Sequence, residues 1–243
     1  MKALETHHLG KSFGGVHAVA DLSLAFAKGK VTSVVGPNGS GKTTLVNLLS
    51  GLLPFDRGTI AVAGSAHASF LPHEAPSLGI TRTFQDVRVF EQMTVMDNIL
   101  IAFGARSWVV AFFERAELAH AAKAEEILRR VGLWEKRDAQ GNALSYGQRK
   151  LLEIGRAMAM DTEIILLDEP FAGLFKEMVR TVVSIILELK AAGKTVVLIE
   201  HNMDLIRELS DHLIVMDAGA LLAEGKPEDV LARRDVIDAY LGE

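Results

Sequence analysis

The stretch that decides the fold of this chain lies at residues 36–44 and reads Gly36-Pro37-Asn38-Gly39-Ser40-Gly41-Lys42-Thr43-Thr44. It matches G-x-x-x-x-G-K-[ST] in full, between an apolar run at residues 31–35 and a predicted helix that begins near Leu45. Glycines allow positive φ angles, so successive backbone N–H groups can turn inward around an anion. The positive end of the helix points to the same place. The stretch therefore predicts a phosphate-binding loop rather than a structural glycine turn that happens to hold a lysine.

Two side chains of this phosphate loop have predicted contacts with a nucleotide. Lys42 reaches the β and γ phosphates as a point charge, and the Thr43 hydroxyl can ligate Mg²⁺. ATP and Mg²⁺ are therefore the expected cofactors. The nucleotide-binding residues predicted here are Gly36, Pro37, Asn38, Gly39, Ser40, Gly41, Lys42, Thr43 and Thr44.

Length and composition narrow the class of protein. The 243 residues suffice for one large domain, or for one domain with an inserted subdomain, and 49% are hydrophobic. The net charge is −5 and no basic tract occurs, so we expect no nucleic-acid partner. The absence of cysteine excludes disulfides and thiolate metal sites. The N-terminus lacks the apolar stretch of a signal peptide, and the apolar runs are too short to span a bilayer. We therefore expect a soluble, cytosolic chain.

The second half of the chain alternates strands with helices. Short apolar strands are predicted at residues 163–167, 195–200 and 212–216, with helices at about 175–192 and 202–210 between them. Such alternation is typical of right-handed crossovers, which produce a parallel sheet with helices on both faces.

The first half of the chain has a different pattern of predicted secondary structure. Residues 3–9 and 20–26 are predicted strands joined by a glycine-bearing turn at residues 11–15, and the second has the period-two alternation of a half-buried antiparallel strand. Residues 64–79 are predicted to be a loop or a short helix. Helical spacing dominates residues 86–160, which we interpret as an inserted helical subdomain within a single domain covering residues 1–243.

Two carboxylates follow the apolar strand at residues 164–167. Asp168 lies where an aspartate would hold Mg²⁺. Glu169 is one residue further, at the carboxyl end of the strand, where ligands of open α/β sheets bind. It is placed to orient or deprotonate a water molecule. The alternative is a purely structural acidic turn at a strand end, which the presence of a phosphate loop in the same chain disfavours.

Leu144-Ser145-Tyr146-Gly147-Gln148 begins a predicted helix that runs to Met160. Ser145 and Gln148 have the spacing of a capping box, and a capped helix is the simpler interpretation. The more specific hypothesis is that Gly147 leaves the backbone open at a positive helix end, which can then bind a second phosphate-bearing surface.

Taken together, these motifs identify a resemblance to ATP-binding-cassette (ABC) ATPases over essentially the full length. The motifs follow the family order: the phosphate loop, Gln85, residues 144–148 (the signature loop), Asp168-Glu169 and His201. The resemblance implies a P-loop NTPase of the α/β class. Its core sheet would be mostly parallel, with an antiparallel β subdomain and an inserted helical subdomain at residues 86–160 that carries the signature loop.

The resemblance also assigns roles to single residues. Phe13 would stack on adenine, the alternative being a buried aromatic at a strand end. Gln85 would meet the metal and the attacking water. Ser145 and Gly147 would contact the γ-phosphate held by the other subunit. His201 would sense the γ-phosphate, although a histidine at a strand end can also be purely structural. Glu169, His201 and Gln85 are thus the expected catalytic residues, and Thr43, Gln85 and Asp168 the expected metal ligands.

Partners follow from the same resemblance. Two nucleotide domains, of the same or different chains, would enclose two ATP molecules and transmit motion to membrane permease subunits. The chain would then lie peripherally on the cytoplasmic face of the inner or plasma membrane. Residues 79–85, 94–99, 144–154, 199–204 and 237–242 resemble ATPase subunits of branched-chain (hydrophobic) amino-acid importers, which also use an extracytoplasmic solute-binding protein.

Other functions remain open from the sequence. They are an ATPase for urea or amide uptake, an exporter ATPase for a lipid, a soluble cassette protein of DNA repair or translation, and a P-loop kinase. The soluble cassettes usually carry two cassettes, long coiled insertions or basic surfaces, none of which occurs here. A kinase would leave the signature loop and His201 without a role.

Two segments depart from expectation. After Pro170, the family usually has Ala-Gly-Leu, then Asn or Asp, then Pro, whereas this chain has Phe175-Lys176 after Leu174. An aromatic ring thus replaces a polar group that would cross the dimer interface, which affects the predicted coupling between sites. Residues 107–113 are unusually apolar and would pack inside the helical subdomain or contact a permease.

Overall fold

The computed structural model describes residues 1–104 and 114–241. The strands in this part of the chain are β1 (Lys2–Phe13), β2 (Val16–Leu22), β3 (Ala25–Ala27), β4 (Val31–Val35), β5 (Arg57–Val62), β6 (Ser65–His67), β7 (Ile80–Arg82), β8 (Ile164–Asp168), β9 (Thr195–Ile199), β10 (His212–Asp217) and β11 (Ala220–Gly225). The α-helices are α1 (Lys42–Leu49), α2 (Val95–Gly104), α3 (Glu114–Arg130), α4 (Tyr146–Ala159), α5 (Lys176–Ala191), α6 (Met203–Leu209), α7 (Pro227–Leu231) and α8 (Arg234–Leu241). The predicted apolar segment at residues 107–113 lies outside the described residues.

A six-stranded sheet with the order β11-β10-β4-β9-β8-β7 forms the centre of the fold. The pairs from β10 to β7 are parallel, and only β11 pairs antiparallel with its neighbour. Every residue of β4, β8 and β9 is buried. Because strands covered on both faces need no polar side, they read as continuous apolar runs. The predicted mostly parallel core sheet is confirmed.

The N-terminal strands form a second, antiparallel sheet with the order β2-β1-β5-β6, and β3 also pairs with β1. The single strand predicted at residues 20–26 is wrong, because the chain leaves the ladder between β2 and β3. There, the Leu24 N–H donates both to the Thr6 hydroxyl at 2.9 Å and to the Thr6 carbonyl oxygen at 3.2 Å. The predicted turn at residues 11–15 is shorter than expected, since β1 continues to Phe13. The short strand β6 lies within the predicted loop at residues 64–79.

Helices α2, α3 and α4 lie within residues 86–160, the range predicted for the helical subdomain. Their buried side chains, for example Ile99, Leu128 and Leu152, belong to one apolar cluster with Val196 of the central sheet. The cluster continues into α5 through Val182. Helix α4 therefore shares one apolar core with β8, the strand that ends in Asp168.

Candidate active site

The phosphate loop connects β4 to α1, and two of its glycines are required by close backbone contacts. A Cβ atom at Gly36, whose φ is 150°, would lie 2.1 Å from the carbonyl oxygen of Met216. A Cβ atom at Gly41, whose φ is 98°, would lie 2.1 Å from the carbonyl oxygen of Ala18. Gly39 has a φ of 78° but open space around it. The loop thus keeps one side free of side chains, as a phosphate cradle requires.

The Lys42 side chain is hydrogen-bonded to the backbone of this loop. Its ammonium donates to the carbonyl oxygens of Gly36 and Pro37, both at 2.8 Å, although the residue is only 6% exposed. Helix α1 begins at Lys42 without a side-chain cap and without an acidic residue in its first turn. A cation and uncapped helix N–H groups converge here, so the residues present fit a polyphosphate. Thr43 is exposed beside them, whereas Ser40 is buried and supports the loop from within.

Three predicted catalytic residues from three different segments meet at one carboxylate. Glu169 Oε1 lies 3.0 Å from His201 Nε2, and Gln85 Nε2 donates to Glu169 Oε2 at 3.4 Å. Gln85 follows β7, Glu169 follows β8 and His201 follows β9, and these strands are neighbours in the parallel sheet. The carboxyl ends of parallel strands therefore bring together residues that are far apart in the sequence.

The backbone at Glu169 is strained. Its φ is 47°, in the left-handed region that non-glycine residues rarely occupy. Such a conformation costs on the order of 1–3 kcal/mol and persists only where the surrounding structure determines it. The Glu169 N–H donates to the carbonyl oxygen of Ile199 at 3.0 Å, which fixes the turn against β9. A strained residue at a strand end is typical of functional sites.

Asp168, the predicted metal ligand, is paired with a residue that the sequence analysis missed. Its side chain is 1% exposed and its Oδ2 accepts from an Arg82 guanidinium nitrogen at 2.9 Å. Arg82 also donates to Asn47 and Ser50 at the end of α1. Burial raises the pKa of Asp168, and the positive charge of Arg82 opposes that shift. Arg82, a charged residue at the end of the short strand β7, was the available sequence signal for this ion pair.

Lys150 of α4 is a second buried cation that the sequence analysis missed. It is 1% exposed, and within the described part of the chain its ammonium has no hydrogen-bond partner. Burial lowers the pKa of Lys150, while the negative charges of Glu153, Glu169 and Asp168 oppose that shift. The lysine therefore contributes positive charge from the helical side toward the strand-end carboxylates.

Phe13 and the signature loop lie outside this cluster of carboxylates. Phe13 ends β1 and is 45% exposed, with the Lys11 ammonium 5.4 Å from its ring centroid. It is therefore not the buried strand-end aromatic of the alternative interpretation. Ser145 is exposed at the N-cap of α4, and the predicted capping box with Gln148 is confirmed, with bonds of 3.4 and 3.1 Å.

The reason given above for Gly147 is wrong. A Cβ atom there would lie 2.7 Å from Met178 Sδ and 3.3 Å from Leu174 Cδ2, so the glycine is buried against α5 and the segment before it. Gly173 in turn approaches the Tyr146 ring, whose Cε1 would lie 2.9 Å from a Cβ atom at Gly173. The glycines at these positions allow α4 and residues 171–175 to pack closely.

Comparison with known proteins identifies the family of this chain. The family described as ABC transporter matches residues 19–172, more than half of the sequence. This chain belongs to the ABC transporter family. The family described as branched-chain amino acid ATP-binding cassette transporter matches residues 220–243. Within the described residues, no helix of this ABC protein is long and apolar enough to cross a membrane.

Individual relatives agree with that assignment. The chain is 38% identical to the high-affinity branched-chain amino acid transport ATP-binding protein BraF of Pseudomonas aeruginosa, covering 99% of this chain and 98% of the relative. A nucleotide-free ATP-binding cassette from an ABC transporter superposes with a TM-score of 0.87 at 35% identity, with 100% of both chains covered. A structure described as the ADP conformation of an ATP-binding cassette of an ABC transporter gives a TM-score of 0.86 at 36% identity, again with 100% of both chains covered. The predicted resemblance is confirmed, and the chain is an ABC ATPase.

Proposed function

We propose that this ABC ATPase drives the uptake of branched-chain or other hydrophobic amino acids. The observation that carries the proposal is the full-length similarity to an ATP-binding protein of branched-chain amino acid transport, together with the match at residues 220–243. The same observations disfavour the alternatives of urea or amide uptake and lipid export. The solute itself is selected by other subunits, so the ATPase fold does not name it.

In this proposal, Glu169 is the general base for hydrolysis, and Gln85 and His201 position it and the γ-phosphate. The support is their convergence, with both partners within 3.4 Å of the Glu169 carboxylate. Lys42 leaves the loop carbonyls to meet the phosphates when a nucleotide binds. Phe13 offers its exposed ring to the adenine.

Mg²⁺ would be held by Thr43, Asp168 and Gln85. No group of three or more histidine, cysteine, aspartate or glutamate residues in the described ranges could hold a metal ion alone. Mg²⁺ is usually held by one or two carboxylates together with substrate phosphates and water, and Asp168 would be the carboxylate here. When bound, the ion would neutralise the charge that develops on the phosphates.

The quaternary part of the proposal is a dimer of ATPase subunits, of one or two kinds. Ser145 would contact the γ-phosphate bound by the partner, because it is exposed at the positive end of α4. Gly147 is buried and instead allows α4 to pack closely on α5. The dimer would lie on the cytoplasmic face of the membrane, in contact with permease subunits. A solute-binding protein would deliver the solute to these permease subunits. A groove of about 500 Å³ beside α4, with the exposed side chains of Phe90 and Ile101 at its border, is the proposed permease contact.

The role of Glu169 is tested with Glu169→Gln, which keeps the shape and removes the base. We expect hydrolysis to slow about 10²–10⁴-fold, while ATP binding stays nearly unchanged. Lys42→Ala is the contrasting variant, because it removes a cation from the phosphates and should weaken binding itself. Equal turnover of the wild type and Glu169→Gln would remove Glu169 from this role.

The solute class is tested in the native organism. A strain without this chain should lose uptake of labelled leucine, and the wild-type gene, but not the Glu169→Gln form, should restore it. Labelled urea serves as the matched control. Loss of urea uptake with normal leucine uptake would replace the amino-acid proposal with the urea alternative.

A further inference from the structure

Glu153 is a buried carboxylate on the helix that follows the signature loop. It lies in the second turn of α4 and is only 5% exposed. Its Oε1 accepts the backbone N–H of Phe84 at 3.1 Å and the backbone N–H of Arg88 at 3.3 Å. These two amides belong to the loop after β7, on either side of Gln85. One side chain of α4 therefore holds the loop that presents Gln85.

The held loop is compact. Two guanidinium groups contact the Phe84 ring, with the Cζ atoms of Arg82 and Arg88 lying 5.0 Å and 4.0 Å from its centroid. Such cation–π contacts favour one orientation of the ring. Gln85 is exposed at the tip of this unit and reaches Glu169 at 3.4 Å. A shift of this loop's backbone would therefore move the Gln85 amide relative to Glu169.

Packing alone does not explain a carboxylate at residue 153. Burial raises the pKa of Glu153, although bonds from the backbone of Phe84 and Arg88 and the charges of Lys150 and Arg156 oppose the shift. Among the described residues, Glu153 Oε2 has no hydrogen-bond partner. Well-packed apolar residues often stabilise a core as much as buried charges or more. We therefore attribute the importance of Glu153 to its hydrogen-bond acceptor oxygen rather than to its packing.

We propose that Glu153 is a positioning residue for ATP hydrolysis, which fastens the Gln85 loop to α4 through two backbone hydrogen bonds. The inference rests on the proposed role of Gln85 at Glu169. It also connects two motifs that are separate in sequence: any displacement of α4, which begins at the signature loop, is transmitted to Gln85 through Glu153.

Three substitutions of Glu153 distinguish the effect of its acceptor oxygen from the effects of its charge and its length. Glu153→Gln keeps an acceptor oxygen at the same distance and should stay within about twofold of the wild-type kcat. Glu153→Leu removes the acceptor, and Glu153→Asp keeps the charge but shortens the side chain by one methylene. Both should lower kcat about tenfold while the KM for ATP changes less than about twofold, since a misplaced catalytic group can cost up to about 10² in rate.

Amide hydrogen exchange, followed by NMR on the full-length chain, provides a readout that does not involve hydrolysis. The Phe84 and Arg88 amides should exchange faster in the Leu and Asp variants and at the wild-type rate in the Gln variant. Thermal unfolding identifies any variant that fails to fold, and Glu153→Asp then replaces Glu153→Leu. Unchanged exchange in a folded Leu or Asp variant would overturn the inference, as would a Gln variant as slow in hydrolysis as the Leu variant.

Gln85→Ala, measured in parallel, distinguishes this inference from the proposed function. Wild-type hydrolysis by Gln85→Ala would reject the proposed role of Gln85, and hydrogen exchange would still decide whether Glu153 fastens the loop. Slow hydrolysis by Gln85→Ala combined with wild-type kcat in Glu153→Leu and Glu153→Asp would retain the role of Gln85 and reject Glu153 as its positioning residue.

Discussion

Phe175 offers a quantitative test, because it occupies a position that favours a polar side chain. It is the N-cap of α5, a helix of 16 residues, with φ −72° and ψ 156°. It provides no side-chain cap, and its ring is 79% exposed. Asn, Asp, Ser and Thr are preferred at N-caps because their oxygens accept from the first free N–H groups of the helix. The backbone at Phe175 already has the extended conformation that such a cap needs, so Phe175→Asn should insert without a backbone shift.

The expected magnitude follows from two opposing terms. A capping side chain contributes roughly 0.5–2 kcal/mol relative to alanine. Full burial of a phenylalanine is worth about 1.5–3 kcal/mol, and only about one-fifth of this ring is covered, so its loss costs about 0.3–0.6 kcal/mol. Phe175→Ala, the matched control, loses the ring and gains no cap. The free energy of unfolding of Phe175→Asn should therefore exceed that of Phe175→Ala by about 1 kcal/mol. This difference corresponds to about 2–4 °C in Tm for a chain of this size.

Calorimetry without nucleotide measures this difference directly. Equal Tm values for Phe175→Asn and Phe175→Ala would refute the capping argument. The same two variants address hydrolysis, because the resemblance to other cassettes implies a polar group at this position for coupling between sites. We expect Phe175→Asn to raise the ATPase rate or its cooperativity with ATP concentration. Rate curves identical to those of the wild type would show that the ring is tolerated and that coupling does not depend on this residue.

Two further predictions concern the ion pair and the dimer. Arg82→Met should cost about 3–5 kcal/mol of unfolding free energy in urea titrations, because it leaves Asp168 buried without its counter-charge, and adding Asp168→Asn should recover part of that loss; equal stability of Arg82→Met and the wild type would contradict it. Light scattering should detect a dimer of Glu169→Gln with Mg-ATP but not with Mg-ADP, and adding Ser145→Arg should abolish it; a monomer under all conditions, even with a co-purified second ATPase subunit, would reject the proposed contact between partners.

The sequence predicted best those features that depend on short stretches of chain. Residues 36–44 predict the phosphate loop because the turn, the lysine and the helix start are adjacent. The buried strands β8 and β9 are predictable because they are covered on both faces and read as apolar runs. By contrast, the break near Ser23 is accompanied by bonds from Leu24 to Thr6 of β1, a residue 18 positions away that no local pattern identifies.

The side chains that surround the carboxylates were less predictable, because their partners are distant in sequence. Arg82 and Asp168 are 86 positions apart, and Glu153 meets the Phe84 amide across 69 positions. Gly147 is fixed by Met178 of another helix, so a glycine that suggested an open helix end is in fact a close packing contact. Motif spacing indicates which residues belong to the site, whereas the residues that hold them in place become visible only when the strands are assembled.

The arrangement around Glu169 implies that hydrolysis depends on the alignment of several segments at once. Its backbone has the costly φ of 47°, and its side chain is held by His201 after β9 and Gln85 after β7. The sheet fixes His201, because β8 and β9 are paired along five residues of each strand. Gln85 lies on a loop whose Phe84 and Arg88 amides donate to Glu153 of α4. In the proposed mechanism, Gln85 rather than His201 would follow a movement of α4, so a change at the signature loop would alter hydrolysis through this loop.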